Sequence, residues 1–354
     1  MPTLGKNDRL RLINLNDSFI EINKFGLPVI EARSVSDCGG GPATVSAWPV
    51  RVPGIRLALT IAAVDRPMVR FVAEISSNHA RDRGRCAALI AAAAAAGCDA
   101  VKFQLFRIDQ LFAPEVLARS AEHRRRREWE LPVALIPELA EEAHRAGLDF
   151  ACTPFDLDAV AALAPHVDFL KVASYELIWP GLVAACAATG LPTVLSTGMA
   201  TMDEITAAVA VARGAGCADL TVLHCVSCYP TPAAECNLAA LATIRDACAT
   251  PTGWSDHSRS PEVVLRAVHR WDAAMIELHL DLDGTGAEYA PGHCWLPGEI
   301  APVIAACRAC AVLDGSGDKV PQPCELADRP WRADPADGLR PLRETRAAWL
   351  RDAS

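Results

Sequence analysis

The sequence predicts an α/β protein whose main domain is a TIM (β/α)8 barrel, and three observations support this fold class. From Phe71 onward, short apolar and β-branched segments alternate with amphipathic stretches rich in Ala, Leu and Glu. The alternation produces eight βα units within about 245 residues, which is the typical size of such a barrel. The alternative, a doubly wound open sheet, lacks its usual nucleotide-binding motif, because no G-x-G-x-x-G follows the first strand.

Eight strand-like segments follow one another in order, and each is rich in the β-branched, aromatic and apolar residues that strands favour. They are FVAEIS (71–76), DAVKFQ (99–104), LDFACT (148–153), VDFLKVAS (167–174), PTVLST (192–197), DLTVLHC (219–225), TPTGWS (250–255) and AAMIELH (273–279). Helical stretches are predicted between them and after the last one, at 84–96, 132–146, 156–163, 181–189, 202–215, 238–247, 261–270 and 297–313.

The two ends of the chain do not follow this alternation. Residues 1–70 have partly alternating apolar positions, then CGGGP and LALTIAAV, which together predict a small β-rich N-terminal extension. Residues 319–354 are rich in Pro, Arg and Asp and predict an extended C-terminal arm that ends in a short helix at 343–351. The predicted domains are therefore 1–70, 71–318 (the barrel) and 319–354.

The composition of the 354-residue chain excludes several classes of protein. Hydrophobic residues make up 51% and charged residues 22%, so the chain as a whole is not disordered. The formal net charge of −9 disfavours sequence-independent nucleic-acid binding, which requires a basic face. The polar first residues do not resemble a signal peptide, and the longest apolar run is shorter than the roughly 20 residues that span a bilayer. We therefore expect a soluble, cytoplasmic protein that binds neither membranes nor nucleic acid.

The 14 cysteines fit a reducing compartment, since they are spread over a long chain. Two C-x-x-C pairs, Cys225/Cys228 and Cys307/Cys310, leave a structural zinc site open as an alternative. The second pair lies in a helix-like stretch, where cysteines usually pack as small apolar residues.

All eight predicted strands end in polar or ionisable residues. The active site of a TIM barrel forms at these carboxyl ends, so the residues are candidates for one site. A lysine inside an apolar strand is costly to bury without a partner, so Lys102 and Lys171 require an explanation. They either form ion pairs with Glu74 or Glu277, or join neighbouring hydroxyls in a cationic pocket for phosphate or carboxylate. A Schiff-base lysine is a third reading, but two lysines on different strands favour anion binding.

His257 and His279 end consecutive predicted strands, which places two imidazoles on one rim of the barrel. Two histidines with open positions beside them suit a divalent ion that keeps water or substrate oxygens in its shell. We therefore predict a metal site at these two residues.

Eight segments resemble the sialic acid synthase family, whose members condense phosphoenolpyruvate with an N-acylated sugar to make nine-carbon ulosonic acids. The segments are VAEISSNH, DAVKFQLF, TPFD, FLKVASYEL, LSTGMAT, LHCVSCYPTP, GWSDHS and IELHLDLD, and they match in order and spacing over residues 71–315. The resemblance implies a transferase with a TIM-barrel catalytic domain, in which the metal is Mn²⁺ or Mg²⁺.

The resemblance also implies a role for each matching position. Residues that would hold phosphoenolpyruvate are Lys102, Thr153, Lys171, Ser174, Ser196 and Ser255, those that would face the acceptor sugar are Glu74, Gln104 and Tyr229, and the metal ligands would be His257 and His279. The metal would polarise the aldehyde of the open-chain sugar. Carbon 3 of phosphoenolpyruvate would attack that aldehyde, water would add at carbon 2, and phosphate would leave through C–O cleavage. Glu74 would handle a proton, so the implied catalytic residues are Glu74, His257 and His279.

The chain departs from the family pattern in three places, all on the acceptor side. It ends soon after the predicted barrel, so we expect it to lack the family's small C-terminal antifreeze-like domain, which supplies an arginine to a partner subunit. The loop after strand eight reads GTGAEYAPGHCW, with Gly292 where the family has a sugar-facing aspartate, and Glu288 is a candidate substitute. The family's NHNG motif after strand one reads NHAR. Residues 1–70 could take the lid or dimer role of the missing domain.

The acceptor sugar stays open between N-acetylmannosamine, for a neuraminate synthase, and a dideoxy di-N-acetyl sugar, for a pseudaminate or legionaminate synthase. EISSNH favours the pseudaminate type and His224 the neuraminate type. An aldolase that makes a seven- or eight-carbon keto-acid phosphate is disfavoured, because the strand ends carry no extra arginines. The alternative from another class is a catalytically weak partner subunit of a full-length synthase. The resemblance implies a homodimer, or a partner chain that supplies the missing domain.

Overall fold

The computed structural model describes residues 9–15, 18–23, 28–29, 46–52, 55–61, 68–313 and 315–352. The chain forms two compact units, Met1–Asp65 and Arg66–Ser354. In the first unit, all described residues are β-strand, as its alternating apolar positions predict. One antiparallel sheet contains β1 (Arg9–Leu15), β2 (Ser18–Asn23) and β3 (Pro28–Val29), and a second pairs β4 (Ser46–Val52) with β5 (Ile55–Ile61).

Eight parallel strands of the second unit close into a barrel, which confirms the predicted fold class. They are β6 (Arg70–Glu74), β7 (Ala100–Leu105), β8 (Asp149–Pro154), β9 (Phe169–Val172), β10 (Thr193–Ser196), β11 (Leu220–Cys225), β12 (Thr252–Asp256) and β13 (Met275–His279). The barrel closes where β13 pairs with β6, and the register there places His279 opposite Glu74. Each strand starts and ends within two residues of its predicted segment.

Helices follow the barrel strands, and neighbouring helices pack against each other. They are α1 (Arg83–Ala96), α2 (Ile108–Leu111), α3 (Pro114–Arg119), α4 (Ala121–Arg125), α5 (Ile136–Arg145), α6 (Leu157–Leu163), α7 (Pro180–Ala187), α8 (Met202–Gly214), α9 (Ala240–Cys248), α10 (Pro261–Trp271), α11 (Pro297–Leu313) and α12 (Arg343–Asp352). Side-chain caps set several starts: the Asp82 carboxylate accepts from the backbone of α1, and Thr201 and Glu204 form a capping box on α8. The sequence did not predict α2 to α4, because helices of 4 to 6 residues are too short to show periodicity.

The C-terminal arm is less extended than predicted. Two short 3-10 helices, Pro323–Glu325 and Arg329–Trp331, precede α12, and the Trp331 and Trp349 rings meet edge to face with centroids 5.8 Å apart. Among the helices that the structure describes, none has the length and hydropathy needed to cross a bilayer.

The barrel has two apolar regions, one on each side of its strands. The larger lies between strands and helices, and the smaller consists of seven side chains that face the barrel interior: Val72, Ala100, Ala151, Phe169, Val194, Leu223 and Met275. Strand β12 contributes Gly253 at this level of the barrel. The position requires glycine, because a Cβ there would lie 2.3 Å from the Met275 carbonyl oxygen. Side chains alternate along a strand, so the next residues to face the interior lie two positions further on, toward the carboxyl ends.

Candidate active site at the carboxyl ends of the barrel strands

Above the interior apolar layer, a second layer of inward-facing side chains is polar. Its members lie two residues beyond the apolar ones, and all of them are buried: Glu74, Lys102, Thr153, Lys171, Ser196, Cys225, Ser255 and Glu277. We call these residues the interior polar layer. Strand periodicity thus brings six of the eleven predicted site residues together at one depth of the barrel.

Two lysines and two glutamates form an ion-pair network in the interior polar layer. Lys102 is paired with Glu74, and its Nζ donates to Thr153 Oγ1 at 3.0 Å. Glu277 lies between the lysines, with its oxygens 3.5 Å from Lys171 Nζ and 4.0 Å from Lys102 Nζ. The ion-pair reading of the lysines is therefore observed, and its partners are both of the predicted glutamates.

Burial acts on the two lysines in the same way, but their neighbours do not. Burial by itself lowers the pKa of Lys102, yet the charges of Glu277 and Glu74 outweigh it and raise that pKa. Burial also lowers the pKa of Lys171, and the charge of Glu277 only partly offsets it. Lys171 therefore has less compensating negative charge than Lys102.

Polar contacts extend this network to two more predicted residues, while a third pairs elsewhere. Gln104 Nε2 donates to Glu74 Oε1 at 2.9 Å, and the Ser255 hydroxyl donates to Glu277 Oε1 at 3.3 Å. Ser174 instead shares a hydrogen bond of 2.9 Å with the Ser227 hydroxyl. Close by, burial raises the pKa of Glu176 to about 7, partly offset by the charge of Lys171, and Glu176 Oε2 has no hydrogen-bond partner.

The predicted histidines form an aromatic cluster at the rim with Tyr229 and with His293, which was not predicted. The His257 and His279 ring centroids are 5.3 Å apart, and His293 is 4.7 Å from His279. Tyr229 packs 4.2 Å from His257 and is 38% exposed, so it borders the open end of the site.

The hydrogen bonds of His257 fix which of its nitrogens is available to a ligand. Nδ1 lies 2.9 Å from the Val226 carbonyl oxygen, which can only accept, so Nδ1 carries the proton and Nε2 keeps its lone pair. Burial, together with the charge of His279, lowers the pKa of His257 to about 3. A neutral imidazole with a free Nε2 is the form that binds a metal.

Glu288 lies between the other two histidines. Its Oε2 is 3.2 Å from His279 Nδ1 and 3.7 Å from His293 Nε2, and its Oε1 accepts from the Ser76 hydroxyl at 2.6 Å. Burial alone would raise the pKa of Glu288, but its hydrogen bond with His279 and the nearby imidazole of His293 lower it below the ordinary range. Burial would lower the pKa of His279, and the hydrogen bond and charge of Glu288 raise it.

A set of buried contacts holds Glu288 in this position. We call residues 280–296, which follow β13, the β13 loop. Asn78 Oδ1 accepts from the Glu288 backbone N–H at 2.9 Å, and Asn78 Nδ2 donates to the Leu280 carbonyl at 3.0 Å. Asp281 accepts from Arg85 of α1 at 2.7 Å and from the Gly284 N–H at 2.7 Å. The loop is thus fixed to the first βα unit at two points.

The side chains at the rim fit a divalent cation. His279, Glu288, His293 and Cys294 each offer a ligand atom within 4.8 Å of the others. Neither ring nitrogen of His293 has a hydrogen-bond partner, although the residue is buried. Burial raises the pKa of the Cys294 thiol to about 12, so this sulfur is a poor ligand. Within the described part of the chain, neither C-x-x-C pair belongs to such a group.

One strand-end residue lies outside the site. His224 neighbours the inward-facing Leu223, so its side chain points to the outer face of β11. There its Nε2 lies 3.0 Å from the Cys236 carbonyl oxygen, beside a cavity of about 640 Å³ between α8 and α9. His224 therefore carries no information about the sugar site.

Sequence reasoning named Glu277 only as a possible ion-pair partner of the lysines, named Glu288 only as a candidate substitute, and missed His293. The place of Glu277 in the site follows from strand periodicity, because it lies two residues before His279 on the same strand and so faces the same side. His293 carries no such signal, since its position depends on the path of the β13 loop.

Comparisons with known proteins agree with this geometry. The sequence model of the NeuB family matches residues 89–319. The chain is 32% identical over 282 residues to an N,N'-diacetyllegionaminic acid synthase of Legionella pneumophila, covering 73% of this chain and 77% of that protein. It is 27% identical to a pseudaminic acid synthase of Helicobacter pylori over 60% of this chain and 66% of that protein. The crystal structure of an N-acetylneuraminic acid synthetase from Leptospira borgpetersenii, in complex with citrate, superposes with a TM-score of 0.67 at 28% identity, over 80% of this chain and 95% of that chain.

Proposed function

The chain belongs to the NeuB family of phosphoenolpyruvate-dependent nonulosonate synthases, and from this we propose that it condenses phosphoenolpyruvate with an N-acylated hexosamine to give a sialic-type acid and phosphate. The observation that carries the proposal is the pair of buried lysines within one polar layer of the barrel, next to a cluster of three histidines. The layer supplies positive charge for an anionic donor, and the cluster supplies ligands for a metal beside it.

The donor site in this proposal is the interior polar layer with its hydroxyls. Lys102 and Lys171 hold the phosphate and carboxylate of phosphoenolpyruvate, with hydrogen bonds from Thr153, Ser174, Ser196 and Ser255. Both ammonium groups are now paired with carboxylates, so an incoming anion shares them with Glu74 and Glu277. A buried charged ligand is stabilised when all of its polar atoms are hydrogen-bonded. The hydroxyls supply the hydrogen bonds that the two lysines do not.

The metal site in this proposal is centred on His257 and His279. A divalent ion bound there, Mn²⁺ or Mg²⁺, would supply Lewis-acid polarisation of the sugar aldehyde. The chain's own residues do the rest. Tyr229 and Gln104 orient the sugar, and Glu74 accepts the proton of the water that adds at carbon 2. Carbon 3 of the donor forms the new C–C bond, and the aldehyde oxygen takes up a proton, the equivalent of the one that water gives to Glu74, to become a hydroxyl. The C2–O bond to phosphate breaks as the C2 hydroxyl loses its proton to the departing phosphate and becomes the keto group.

The identity of the sugar is the finer part of the proposal. Relatives that are 27–32% identical to this chain are named for different products, legionaminic and pseudaminic acid. We therefore place N-acetylmannosamine beside the dideoxy di-N-acetyl precursors of those two acids as candidate acceptors.

The test measures phosphate release from phosphoenolpyruvate with Mn²⁺, for each of the three sugars and with a chelator control. Sugar-dependent, chelator-sensitive release is expected with one of them. Lys171→Met should raise the KM for phosphoenolpyruvate by about 100-fold or more, because it removes a charge-assisted contact to a buried anion. Lys319→Met, on the exposed arm, is the matched control and should leave the KM unchanged. No release with any sugar, or equal behaviour of both variants, would contradict the proposal.

A further inference from the structure

We infer that Glu288 and His293, both from the β13 loop, are ligands of the metal together with the proposed ligands His257 and His279; the inference rests on the proposed metal-assisted function and adds two ligands to it. The cation is then held by side chains of a loop as well as by strand-end histidines. Three arguments support this: the distances between the donor atoms, the unpaired state of His293, and the way the loop is anchored.

The donor atoms have the spacing of ligands that share one ion. Two ligands bound at about 2.1 Å lie about 3.0 Å apart at octahedral angles and about 3.4 Å apart at tetrahedral angles. Glu288 Oε2 is 3.2 Å from His279 Nδ1 and 3.7 Å from His293 Nε2. Glu288 Oε2 is therefore placed to share an ion with His279 Nδ1 as it stands and with His293 Nε2 after a shift of a few tenths of an ångström, and the ligand atoms of the group all lie within 4.8 Å of one another. In this arrangement His279 binds through Nδ1 and carries its proton on Nε2.

His293 is the second and independent observation. The residue is 3% exposed, and neither of its ring nitrogens makes a hydrogen bond. A buried polar atom without a partner costs free energy, so native structures rarely keep two on one side chain. The His293 ring packs edge to face against His279 and Tyr229, with centroids 4.7 and 5.0 Å away. These contacts orient the ring toward Glu288 but provide no hydrogen bond to its nitrogens. A nitrogen lone pair of His293 is therefore available to coordinate an ion.

The anchoring of the loop leaves one oxygen of Glu288 available for the ion. Ser76 holds Oε1, and Asn78 holds the Glu288 backbone N–H, so the carboxylate has little freedom to rotate away. The Cys294 thiol donates to the Glu288 carbonyl oxygen at 3.3 Å, which gives this sulfur a role in positioning. Ligands fixed in this way by outer contacts lose little conformational entropy when the ion binds.

The test measures Mn²⁺ affinity of the full-length protein without substrates, from the electron paramagnetic resonance signal of free Mn²⁺. Glu288→Gln removes the negative charge but retains an oxygen that can accept a hydrogen bond from His279. If Glu288 is a ligand, this change should weaken Mn²⁺ binding by about 100-fold or more, because losing even an outer-shell partner of a metal can cost up to about 100-fold in affinity. His293→Gln should weaken it comparably. Glu299→Gln is the matched control: Glu299 lies in the first turn of α11, directly after the loop, where it accepts from Arg259, and this variant should bind as the unchanged protein does.

The outcomes separate this inference from the proposed function. If the unchanged protein binds no Mn²⁺, the metal part of the proposed function fails. If His257→Gln loses binding while Glu288→Gln and His293→Gln stay within about tenfold of the unchanged protein, the proposed function stands and the inference is overturned. Electron spin-echo modulation from ¹⁴N on the unchanged protein gives a check that requires no variant. Three coordinated imidazoles support the inference, and two overturn it.

Discussion

Replacing Glu277 by Gln removes the one carboxylate that lies between Lys102 and Lys171. The oxygens of Glu277 are 3.5 and 4.0 Å from the two ammonium groups. At an effective dielectric constant of about 20, these distances correspond to attractions of about 4.7 and 4.2 kcal/mol. The cost of burying the carboxylate opposes them, and breaking a buried pair of this kind typically costs about 3–5 kcal/mol of stability.

The free energy needed to neutralise Lys171 sets an upper limit on the destabilisation caused by Glu277→Gln. The pKa of Lys171 is already lowered by burial, and Lys102 keeps Glu74 as its partner, so Lys171 is the group that should lose its proton. From an unfolded pKa of about 10.5, deprotonation at pH 8 costs about 3.4 kcal/mol. The destabilisation of Glu277→Gln at pH 8 should therefore be about 3 kcal/mol and should not exceed that limit.

The pH dependence gives this prediction a sign that a purely structural effect would not share. In the variant, the folded protein binds about one proton less than the unfolded chain between pH 7 and 9, so its stability should rise with pH by up to about 1.4 kcal/mol per unit relative to the unchanged protein. The measurement is urea unfolding, followed by circular dichroism at pH 7, 8 and 9. Glu141→Gln, the same change on the exposed face of α5, is the control. A loss below about 1 kcal/mol at pH 7 with no difference in slope would refute the ion-pair analysis.

Three further predictions concern a buried carboxyl group, a crowded glycine and the binding of Mn²⁺. Glu176→Gln should stabilise the protein above pH 7 by up to about 3 kcal/mol and have little effect near pH 4.5. Because the pKa of Glu176 is raised to about 7, the folded protein loses stability as pH rises from the ordinary glutamate value through 7, and the variant avoids this loss. The gain in Tm should therefore be larger at pH 8 than at pH 5. Gly286→Ala should weaken Mn²⁺ binding and lower the Tm, because its Cβ would lie 2.2 Å from Asp281 Oδ1 and 2.4 Å from Asn78 Oδ1, whereas Gly298→Ala, with nothing within 4 Å, should do neither. Mn²⁺ at 100 times its Kd should stabilise the folded protein by about 2.7 kcal/mol, and a chelator should reverse the gain in a thermal-shift assay; an unchanged Tm would contradict metal binding to the folded state.

The barrel could be predicted from the sequence because its signals are local. Each strand is a short β-branched or apolar segment, and most of the long helices have a periodic apolar pattern, a capping side chain or a proline at their start, so the eight units are visible without knowledge of contacts. The polar layer is also a local consequence, because strand period places Lys102, Thr153 and Lys171 above the apolar residues two positions before them.

The rim of the site depends on contacts between distant parts of the chain and could not be predicted in the same way. Glu288 and His293 reach the histidine cluster because Asn78 and Arg85, about 200 positions earlier, hold the β13 loop. No periodicity records such a contact, and the same loop sequence could follow another path. His224 was considered for the sugar site because it lies near the end of a strand, but its side chain faces outward. Strand alternation predicts this, because the neighbouring Leu223 faces inward.

The interior apolar layer has a kinetic consequence. Seven apolar side chains close the barrel below the lysines, so a ligand can reach the lysines only from the rim, beside Tyr229. A molecule held at the lysines must pass the histidine cluster to arrive and again to leave. For the proposed reaction we therefore expect phosphoenolpyruvate to bind before the sugar, and an excess of sugar should inhibit by occupying the rim while the lysines are still unoccupied.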